Sequence, residues 1–320
     1  MPSEGPGLFD ALETPRSPLA EKLDALARRN VFFGGSSWKY DGWLGQIYTR
    51  ERYLTRGKFS QKKFEQECLA EYAETFPVVC GDFSFYQFPS RDYLRRLFAS
   101  ASSRLRVAFK VPEMITVRTW PAHARYGSRS GGENESFLDC ELLKSAFLGP
   151  LEEHLHQVAA LIFEFGTFPK SAYEGVLQFV EQLDPFLGAL PDGFRYSVEI
   201  RNREFLAPEY QECLRNHNVA HVFNSWSRMP PLEVQIAHPD NFTADFTVTR
   251  ALLRPGRNYQ AAVDTFAPYD RIQDPYPEAR KAMRELAVRS LETEQPAFIF
   301  VNNRLEGNSP LTIQAVVEDL

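Results

Sequence analysis

The stretch SVEIRNREF, residues 197–205, starts as an apolar, β-prone run and ends in charged and amide side chains, among them Glu199, Arg201, Asn202 and Arg203. A charge at the end of a buried strand belongs either to a structural ion pair or to a functional site. Glu199 and Arg201 are two residues apart, so they lie on the same face of an extended strand. The stretch therefore predicts a strand that carries chemistry at its carboxyl end.

The same design recurs along the chain, where short β-branched or aromatic runs alternate with longer helical patterns. Most of the runs are apolar on both faces, which is typical of a parallel sheet covered by helices. Eight such units in one domain favour a closed (β/α)8 TIM-type barrel with eight parallel strands over an open doubly wound sheet, whose nucleotide-binding glycine motifs the sequence lacks. The runs span residues 31–38, 77–86, 105–112, 159–166, 194–201, 219–226, 242–252 and 297–303.

The segments between these runs carry apolar residues at helical spacing. In residues 60–76, Ser60 is a candidate helix cap, and Phe64, Cys68 and Tyr72 fall on one face. Residues 1–17 are polar and rich in proline and glycine, which predicts a flexible arm before a single barrel domain at 18–320. The helix candidates are 18–30, 60–76, 90–100, the region around 137–158, 171–183, 208–217, 277–292 and the tail after Ser309.

Composition restricts the partners that can be expected. The chain has 320 residues, of which 43% are hydrophobic and 24% charged, and its net charge is −6. That charge argues against a general polyanion binder, so a nucleic acid partner would need a local basic cleft and is unsupported by net charge. The first residues do not resemble a signal peptide, and no apolar run reaches the roughly 18 residues that span a bilayer. We expect a cytoplasmic protein without a membrane partner.

The four cysteines, Cys68, Cys80, Cys140 and Cys213, are widely spaced and include no C-x-x-C pair. This spacing argues against zinc ribbons, iron–sulfur clusters and thioredoxin-like chemistry. Buried free thiols in a reducing compartment are the expected outcome. The sequence itself indicates no cofactor, so the cofactor stays unknown.

Two long connections interrupt the regular alternation. Residues 114–136 follow the third run, are basic at Arg118, Arg125 and Arg129, and become rich in glycine and serine. A barrel places its active-site loops there, which favours a mobile lid, and a disordered insert without function is the alternative. Residues 254–277, after the seventh run, have the same ambiguity.

Polar and charged side chains collect where the predicted strands end. In a TIM-type barrel these ends converge on one mouth, which is the face used for catalysis. Lys110, Arg201 and Arg250 would form an electropositive floor for an anion, although each charge by itself could equally belong to a structural ion pair. We predict Glu199 and Glu164 as catalytic residues. The predicted substrate-binding residues are Trp38, Tyr40, Tyr86, Lys110, Arg201, Asn224, Arg250, Asn302 and Asn303.

Other catalytic classes have weaker support in the sequence. None of these strand ends carries histidine, so no transition-metal site is predicted, while Asp82, Glu113, Glu164 and Glu199 keep a Mg²⁺ or Mn²⁺ carboxylate site open. The G-x-S-x-G elbow of many serine hydrolases is missing. Glu164 and Glu199 could also do glycosidase-type work, depending on their separation.

Five segments along the chain carry a further pattern. They are GGSSWKYDGWLGQIYT (34–49), VVCGDFSFYQFPS (78–90), FKVPEMIT (109–116), VEIRNREF (198–205) and FVNNRLEGNSP (300–310). These segments, in this order, resemble the DUF72 family, also called YecE-like proteins. The resemblance runs from about residue 31 to the C-terminus, and it implies a TIM-type barrel with a polar cleft at its mouth and no established activity. It also implies pocket roles for Trp38, Tyr40, Trp43, Tyr86, Lys110, Glu199, Arg201, Asn302 and Asn303.

The sequence departs from that family pattern at four positions. Ser37 stands where the pattern has a second glycine, and Cys80 and Asp82 stand where the second strand usually has glutamate and asparagine. Glu164 stands where glutamine is common. These changes indicate either a different substrate within the family or a member that has lost activity.

Three hypotheses follow, and whether the chain is an enzyme, such as a hydrolase, stays open among them. The first is an enzyme on a single barrel that acts on a small anionic, for instance phosphorylated, substrate in the cleft at the mouth. The second is a metal-dependent phosphodiesterase or nuclease that uses Asp82, Glu164 and Glu199. The third is a non-catalytic barrel that binds nucleic acid or another ligand through residues 114–136.

Overall fold

Eight parallel strands close into a barrel in the computed structural model, which describes residues 16–320. Each strand pairs with the next along the chain, and the last pairs with the first. All eight predicted strands are confirmed, as is the TIM-type fold. The predicted arm at 1–17 lies outside the described residues except for its last two. The strands are β1 Val31–Gly35, β2 Val78–Gly81, β3 Arg106–Lys110, β4 Val158–Glu164, β5 Tyr196–Glu199, β6 Ala220–Asn224, β7 Thr247–Ala251 and β8 Ala297–Val301.

Alternation along the strands sorts their side chains between the barrel interior and the surrounding helices. On β8, Phe298 and Phe300 join the inner apolar cluster, whereas Ile299 packs outward against the helices. The same alternation continues to the carboxyl ends of the strands, where the inward-facing side chains are polar. The predicted mouth residues therefore lie around one opening. The inner cluster is Phe32, Val78, Cys80, Ala108, Ala159, Ala160, Ile162, Ala220, Val222, Phe246, Val248, Phe298 and Phe300.

Closure between the first two strands depends on one glycine. Gly34 on β1 pairs with Val78 on β2. A Cβ atom at Gly34 would lie 1.8 Å from the Val78 carbonyl oxygen, which is far inside van der Waals contact. Only glycine permits this approach of the two backbones.

Helices cover the outside of the barrel in the predicted order. Ser60 caps the second helix by accepting a hydrogen bond from the Lys63 N–H, and Phe64, Cys68 and Tyr72 of that helix are fully buried, as predicted. The helices are α1 Pro18–Ala27, α2 Gln61–Thr75, α3 Arg91–Ala99, α4 Glu113–Thr116, α5 Cys140–Leu143, a π-helical turn at Lys144–Leu148, α6 Gly149–Leu151, α7 Val176–Gly188, α8 Pro208–Asn216, α9 Leu232–Ile236, α10 Tyr259–Phe266, α11 Pro277–Thr293, α12 Asn303–Glu306 and α13 Ser309–Val317.

Two helical regions differ from their predicted bounds. The region around 137–158 is a series of short helical turns instead of one helix. Helix α7 begins at Val176 instead of residue 171, because the Gln178 side chain accepts a hydrogen bond from the Glu174 N–H and closes a turn before the helix. No helix in residues 16–320 is both long and apolar enough to cross a membrane.

A histidine on the outer face of β6 is buried and neutral. His221 is 1% exposed, its Nδ1 lies 3.1 Å from the Tyr210 hydroxyl, and its Nε2 lies 3.4 Å from Gln235 Oε1. Burial lowers the pKa of His221 to about 4, although the bond to Gln235 opposes that shift. It lies near the start of its strand and away from the mouth, so its role is structural.

His221 is expected to make the fold sensitive to acid. An unfolded chain binds the histidine proton near pH 6.5, whereas the folded chain binds it only near pH 4. Folding stability is therefore lost as the pH falls from about 6.5 to about 4, by about 3 kcal/mol in total. Urea denaturation at a series of pH values measures this slope.

The matched variants for that measurement are His221→Gln and His238→Gln. Glutamine has no proton to gain in this range, so His221→Gln should flatten the pH dependence between pH 4 and 6.5. His238 is exposed, and its replacement should leave the slope unchanged. An equal slope in wild type and His221→Gln would show that another group causes the acid sensitivity.

Candidate functional site

Six charged side chains meet at the carboxyl ends of the strands and form one ion-pair network. Three are cations and three are carboxylates, so their formal charges cancel. They come from five strands or the residues just after them, because the inward-facing positions of neighbouring parallel strands converge there. This mouth network consists of Asp82, Lys110, Glu164, Glu199, Arg201 and Arg250.

Glu164 lies at the centre of the mouth network and contacts all three cations. Its Oε1 is 2.8 Å from Arg201 Nη2, and its Oε2 is 2.8 Å from Lys110 Nζ and 2.7 Å from Arg250 Nη1. Glu199 binds Arg201 through Oε1 and Arg250 through Oε2. The charges that end the stretch at 197–205 therefore join strands β4, β5 and β7.

The contacts of Glu164 decide its protonation. Burial alone would raise the pKa of Glu164, but the attraction of Arg201, Lys110 and Arg250 prevails and holds it well below its usual range. Burial opposes the charge on Lys110 and on Arg250 as well, yet their carboxylate neighbours raise both pKa values. At neutral pH these three members are all charged.

Asp82 is the outer member of the mouth network. Its side chain is 49% exposed, whereas that of Lys110 is 8% exposed and that of Arg250 is 3% exposed. Asp82 Oδ1 lies 3.2 Å from Lys110 Nζ and 3.8 Å from Arg250 Nη2. It is therefore the most weakly held of the three carboxylates.

Two aromatic rings hold the cations of the network in place. Lys110 Nζ lies 4.3 Å from the ring centroid of Phe85, and the Arg201 guanidinium lies 4.0 Å from that of Trp226. Cation–π contacts of this kind stabilise buried cations. Neither ring was among the predicted site residues, although Trp226 ends the sixth apolar run and Phe85 precedes the predicted Tyr86.

Arg304 is a further cation of the mouth that the sequence prediction missed. It follows Asn302 and Asn303, stacks on Tyr259 at 4.4 Å, and has no carboxylate within 4 Å among residues 16–320. Burial raises the pKa of the Tyr40 hydroxyl, and the nearby charge of Arg304 opposes that rise. Arg304 thus supplies a positive charge that the balanced mouth network lacks.

The three predicted asparagines bind mainly backbone. Asn224 Nδ2 donates to the Ile200 and Val222 carbonyl groups, so its amide ties strands together. The Asn302 side chain accepts from the Arg304 N–H and caps α12. Asn303 accepts from the Ser309 N–H.

Three buried polar atoms near the start of α12 have no hydrogen-bond partner among residues 16–320. They are Ser36 Oγ, Trp43 Nε1 and Asn303 Nδ2. Their residues line one narrow gap, too small for a water molecule, which Tyr40 also borders. A buried polar atom without a hydrogen-bond partner lowers the stability of the fold. The fold therefore leaves the hydrogen-bonding capacity of this cluster unused.

The remaining predicted aromatic residues lie in two different environments. Trp38 is 6% exposed and packs edge-on against Phe83, so it belongs to the core cluster. Tyr86 is 57% exposed, and the Arg125 guanidinium covers its ring at 4.3 Å. Tyr86 therefore links the mouth to the segment 114–136.

Residues 114–136 are folded, so the alternative of a disordered insert is wrong. Trp120 and Tyr126 are buried, and Asn134 Nδ2 donates to the Met114 and Val117 carbonyl groups. The Tyr126 hydroxyl donates to Glu113 Oε2 at 2.9 Å, which fastens the segment to the end of β3. Residues 254–277 are folded as well and contain α10.

Replacing Tyr126 with phenylalanine is expected to loosen the segment 114–136. The change removes the hydroxyl that binds Glu113, whose side chain is largely buried, and leaves that carboxylate with a longer contact to Arg125. Loss of one hydrogen bond to a charged group should raise local opening about tenfold. Limited trypsin digestion, followed by mass spectrometry of cleavage after Arg118, Arg125 and Arg129, measures this rate.

Tyr93→Phe is the matched control for this digestion. The Tyr93 hydroxyl makes no side-chain hydrogen bond within the described part of the chain, so this variant should be cleaved at the wild-type rate. Equal cleavage rates for Tyr126→Phe and wild type would show that the Glu113 contact does not hold the segment.

The carboxylates proposed for a metal site are already engaged with cations. Within residues 16–320, no group of three or more histidine, cysteine, aspartate or glutamate side chains is arranged to hold a metal ion. Glu164 and Glu199 direct their oxygens at arginine and lysine instead. These two carboxylates are therefore held in ion pairs among the described residues.

Comparisons with known proteins agree with this fold. A DUF72 family protein from Thermotoga maritima has 18% identity and a TM-score of 0.60, and the match covers 90% of this chain and 98% of that one. A DUF72 family protein from Enterococcus faecalis has 17% identity and a TM-score of 0.57, with 90% and 95% covered. No curated protein matches the chain significantly. The model of a family described as "Protein of unknown function DUF72" matches residues 32–320, and the chain belongs to that family.

Proposed function

We propose that this protein is an enzyme that acts on a small anionic substrate held at the mouth network. One observation carries the proposal: two buried cations and the partly buried Arg201 converge there, and the carboxylate on their solvent side, Asp82, is half-exposed and weakly held. A phosphate or carboxylate group of a substrate can take the place of Asp82 on Lys110 and Arg250. The other ion pairs of the network stay intact in this exchange.

Arg304 gives the proposed site its selectivity for negative charge. The mouth network is electrically balanced, so an anion gains little net attraction from it alone. Arg304 adds one positive charge without a carboxylate of its own among the described residues, and it stacks on Tyr259, which is 44% exposed. A bidentate contact from its guanidinium to a phosphoryl group fits this arrangement.

Substrate binding would also change the protonation of Glu164. In the free protein, three cations hold the pKa of Glu164 well below its usual range, which makes it a weak base. An anion bound to Lys110 and Arg250 offsets part of their attraction, and the pKa of Glu164 then rises. The carboxylate thus becomes able to accept a proton only when the substrate is present.

Glu199 would act beside Glu164 as a positioning residue. Its side chain is fully buried and binds both Arg201 and Arg250, so it holds the two guanidinium groups in place. Glu164 is therefore the better placed of the two predicted catalytic carboxylates for proton transfer. Hydrolysis of a phosphate ester is the simplest reaction that such a site can catalyse.

The exchange of Asp82 for a ligand anion supplies the test. Asp82→Asn removes the competing carboxylate, and we expect it to bind phosphorylated ligands about tenfold more tightly. Binding is measured by calorimetry at constant ionic strength with a panel of phosphorylated metabolites and their dephosphorylated counterparts. Arg304→Gln should weaken the same ligands by about tenfold, without effect on the neutral counterparts.

Asp319→Asn is the matched control, because it makes the same change of charge in an exposed side chain at the C-terminus. If Asp82→Asn and Asp319→Asn bind every phosphorylated ligand equally, the proposed exchange is contradicted. Glu164→Gln should keep binding and lose turnover of any ligand that wild type converts. Turnover that requires added Mn²⁺ would instead favour the metal-dependent phosphodiesterase hypothesis.

A further inference from the structure

A second group of cations lies at the opposite, amino end of the barrel. Arg106 opens β3, and Arg195 directly precedes β5. Arg106 lies four residues before Lys110, and Arg195 lies four residues before Glu199. Residues an even number of positions apart on a strand share a face, so both arginine side chains turn toward the barrel axis, as the two mouth residues do. We call Arg106 and Arg195 the amino-end arginine pair.

Aromatic rings of the barrel floor hold this pair in place. The Arg106 guanidinium lies 4.7 Å from the ring centroid of Phe32, and that of Arg195 lies 5.8 Å from Phe298. Phe32 and Phe298 stack on each other with centroids 5.0 Å apart and ring planes 13° from parallel. The two guanidinium groups therefore come from different strands and lie over the same pair of stacked rings.

The amino-end arginine pair has no counterion among residues 16–320. Neither side chain has a carboxylate within 4 Å or a side-chain hydrogen bond there. Arg106 is half-buried, whereas Arg195 is exposed. Burial lowers the pKa of Arg106, and the charge of Arg195 lowers it further, so the two cations are close enough to repel each other. Nearby Arg104, in contrast, is paired with Asp24.

We propose that the amino-end arginine pair binds a phosphoryl group. Two guanidinium groups that converge without a counterion offer several N–H donors to one tetrahedral oxyanion, which would relieve their repulsion. Phe32 and Phe298 each lie under one face of a guanidinium group, and the N–H edges are left for the ligand. This site lies at the end of the barrel opposite the mouth network and does not depend on the function proposed there.

Isothermal titration calorimetry with inorganic phosphate at constant ionic strength tests this site. We expect a saturable binding event that Arg106→Gln and Arg195→Gln each weaken by about tenfold or more, since each removes charge-assisted hydrogen bonds. Arg289→Gln is the matched control, because Arg289 is an exposed arginine of α11 that also stacks on a ring, that of Phe242. It should leave the titration unchanged.

A second titration, with glycerol 3-phosphate, distinguishes a free phosphate ion from a phosphoryl group carried by a larger molecule. The site is supported if Arg106→Gln and Arg195→Gln weaken the binding of either ligand. The ligand that binds wild type more tightly then shows whether the site prefers a free phosphate ion or a phosphoryl group on a larger molecule. Phosphate binding at the mouth is recognised separately, since Asp82→Asn tightens it and the amino-end variants do not alter it. If both amino-end variants titrate like wild type with both ligands, the proposal is overturned.

Discussion

Replacing Arg250 with methionine is expected to lower the free energy of unfolding at pH 7 by about 3–5 kcal/mol. Arg250 is 3% exposed and contacts Glu164 and Glu199, whose side chains are equally inaccessible. Without it, two buried carboxylates share the remaining cations, and Glu199 keeps only Arg201. Urea denaturation followed by tryptophan fluorescence measures the loss.

A second substitution shows whether the unpaired charge causes that loss. Glu199→Gln in the Arg250→Met background removes one uncompensated carboxylate, so the double variant should be more stable than Arg250→Met alone. Arg95→Met is the control, because Arg95 pairs with Asp92 and Glu153 on the surface, where such pairs contribute less than about 1 kcal/mol. A double variant that is no more stable than the single one would argue against this account of the mouth network.

Replacing Arg280 with methionine is expected to have an effect of similar size, for reasons unrelated to the mouth. The Glu306 side chain is fully buried and accepts hydrogen bonds from Arg280, the Tyr276 N–H and the Thr312 hydroxyl. Methionine preserves much of the volume of Arg280 but leaves the carboxylate without its cation, which costs about 3–5 kcal/mol. The urea midpoint should fall accordingly.

Two outcomes separate this ion pair from a loss of packing. Glu306→Gln in the Arg280→Met background should recover part of the stability, because glutamine needs no counterion. Arg271→Met, at an arginine that is 70% exposed and pairs with Asp270, should change the midpoint little. An Arg280→Met protein as stable as Arg271→Met would contradict the importance of the buried pair.

The barrel could be predicted from the sequence because its strands are apolar on both faces. In residues 159–165 and 297–303, neither side of the strand meets solvent, so the pattern identifies buried parallel strands directly. Helix bounds differ from the predicted ones where a side chain closes the preceding turn, as Gln178 does before α7. The spacing of apolar residues along the sequence gives no information about such a local hydrogen bond.

The members of the mouth network could be predicted, but their pairing could not. Alternation places Lys110, Glu164 and Arg250 at inward-facing strand ends, which the structure confirms. The contact between Arg250 and Glu164 joins positions that are 86 residues apart in the sequence. The distance between these two side chains depends on the curvature of the barrel, which the sequence of a single strand does not determine. Arg304 was missed because its position depends on how α12 leaves β8. Arg106 and Arg195 follow the same alternation at the other end, so the sequence already carried that signal.

The apolar filling of the barrel separates its two charged ends. Arg106 and Lys110 lie on one strand, four residues and about 13 Å apart, with Ala108 of the inner cluster between them. Substitutions at such a distance that share no partner usually have additive effects. Variant libraries at the mouth and at the amino end can therefore be built and selected independently and then combined, which makes this barrel a scaffold with two separately evolvable faces.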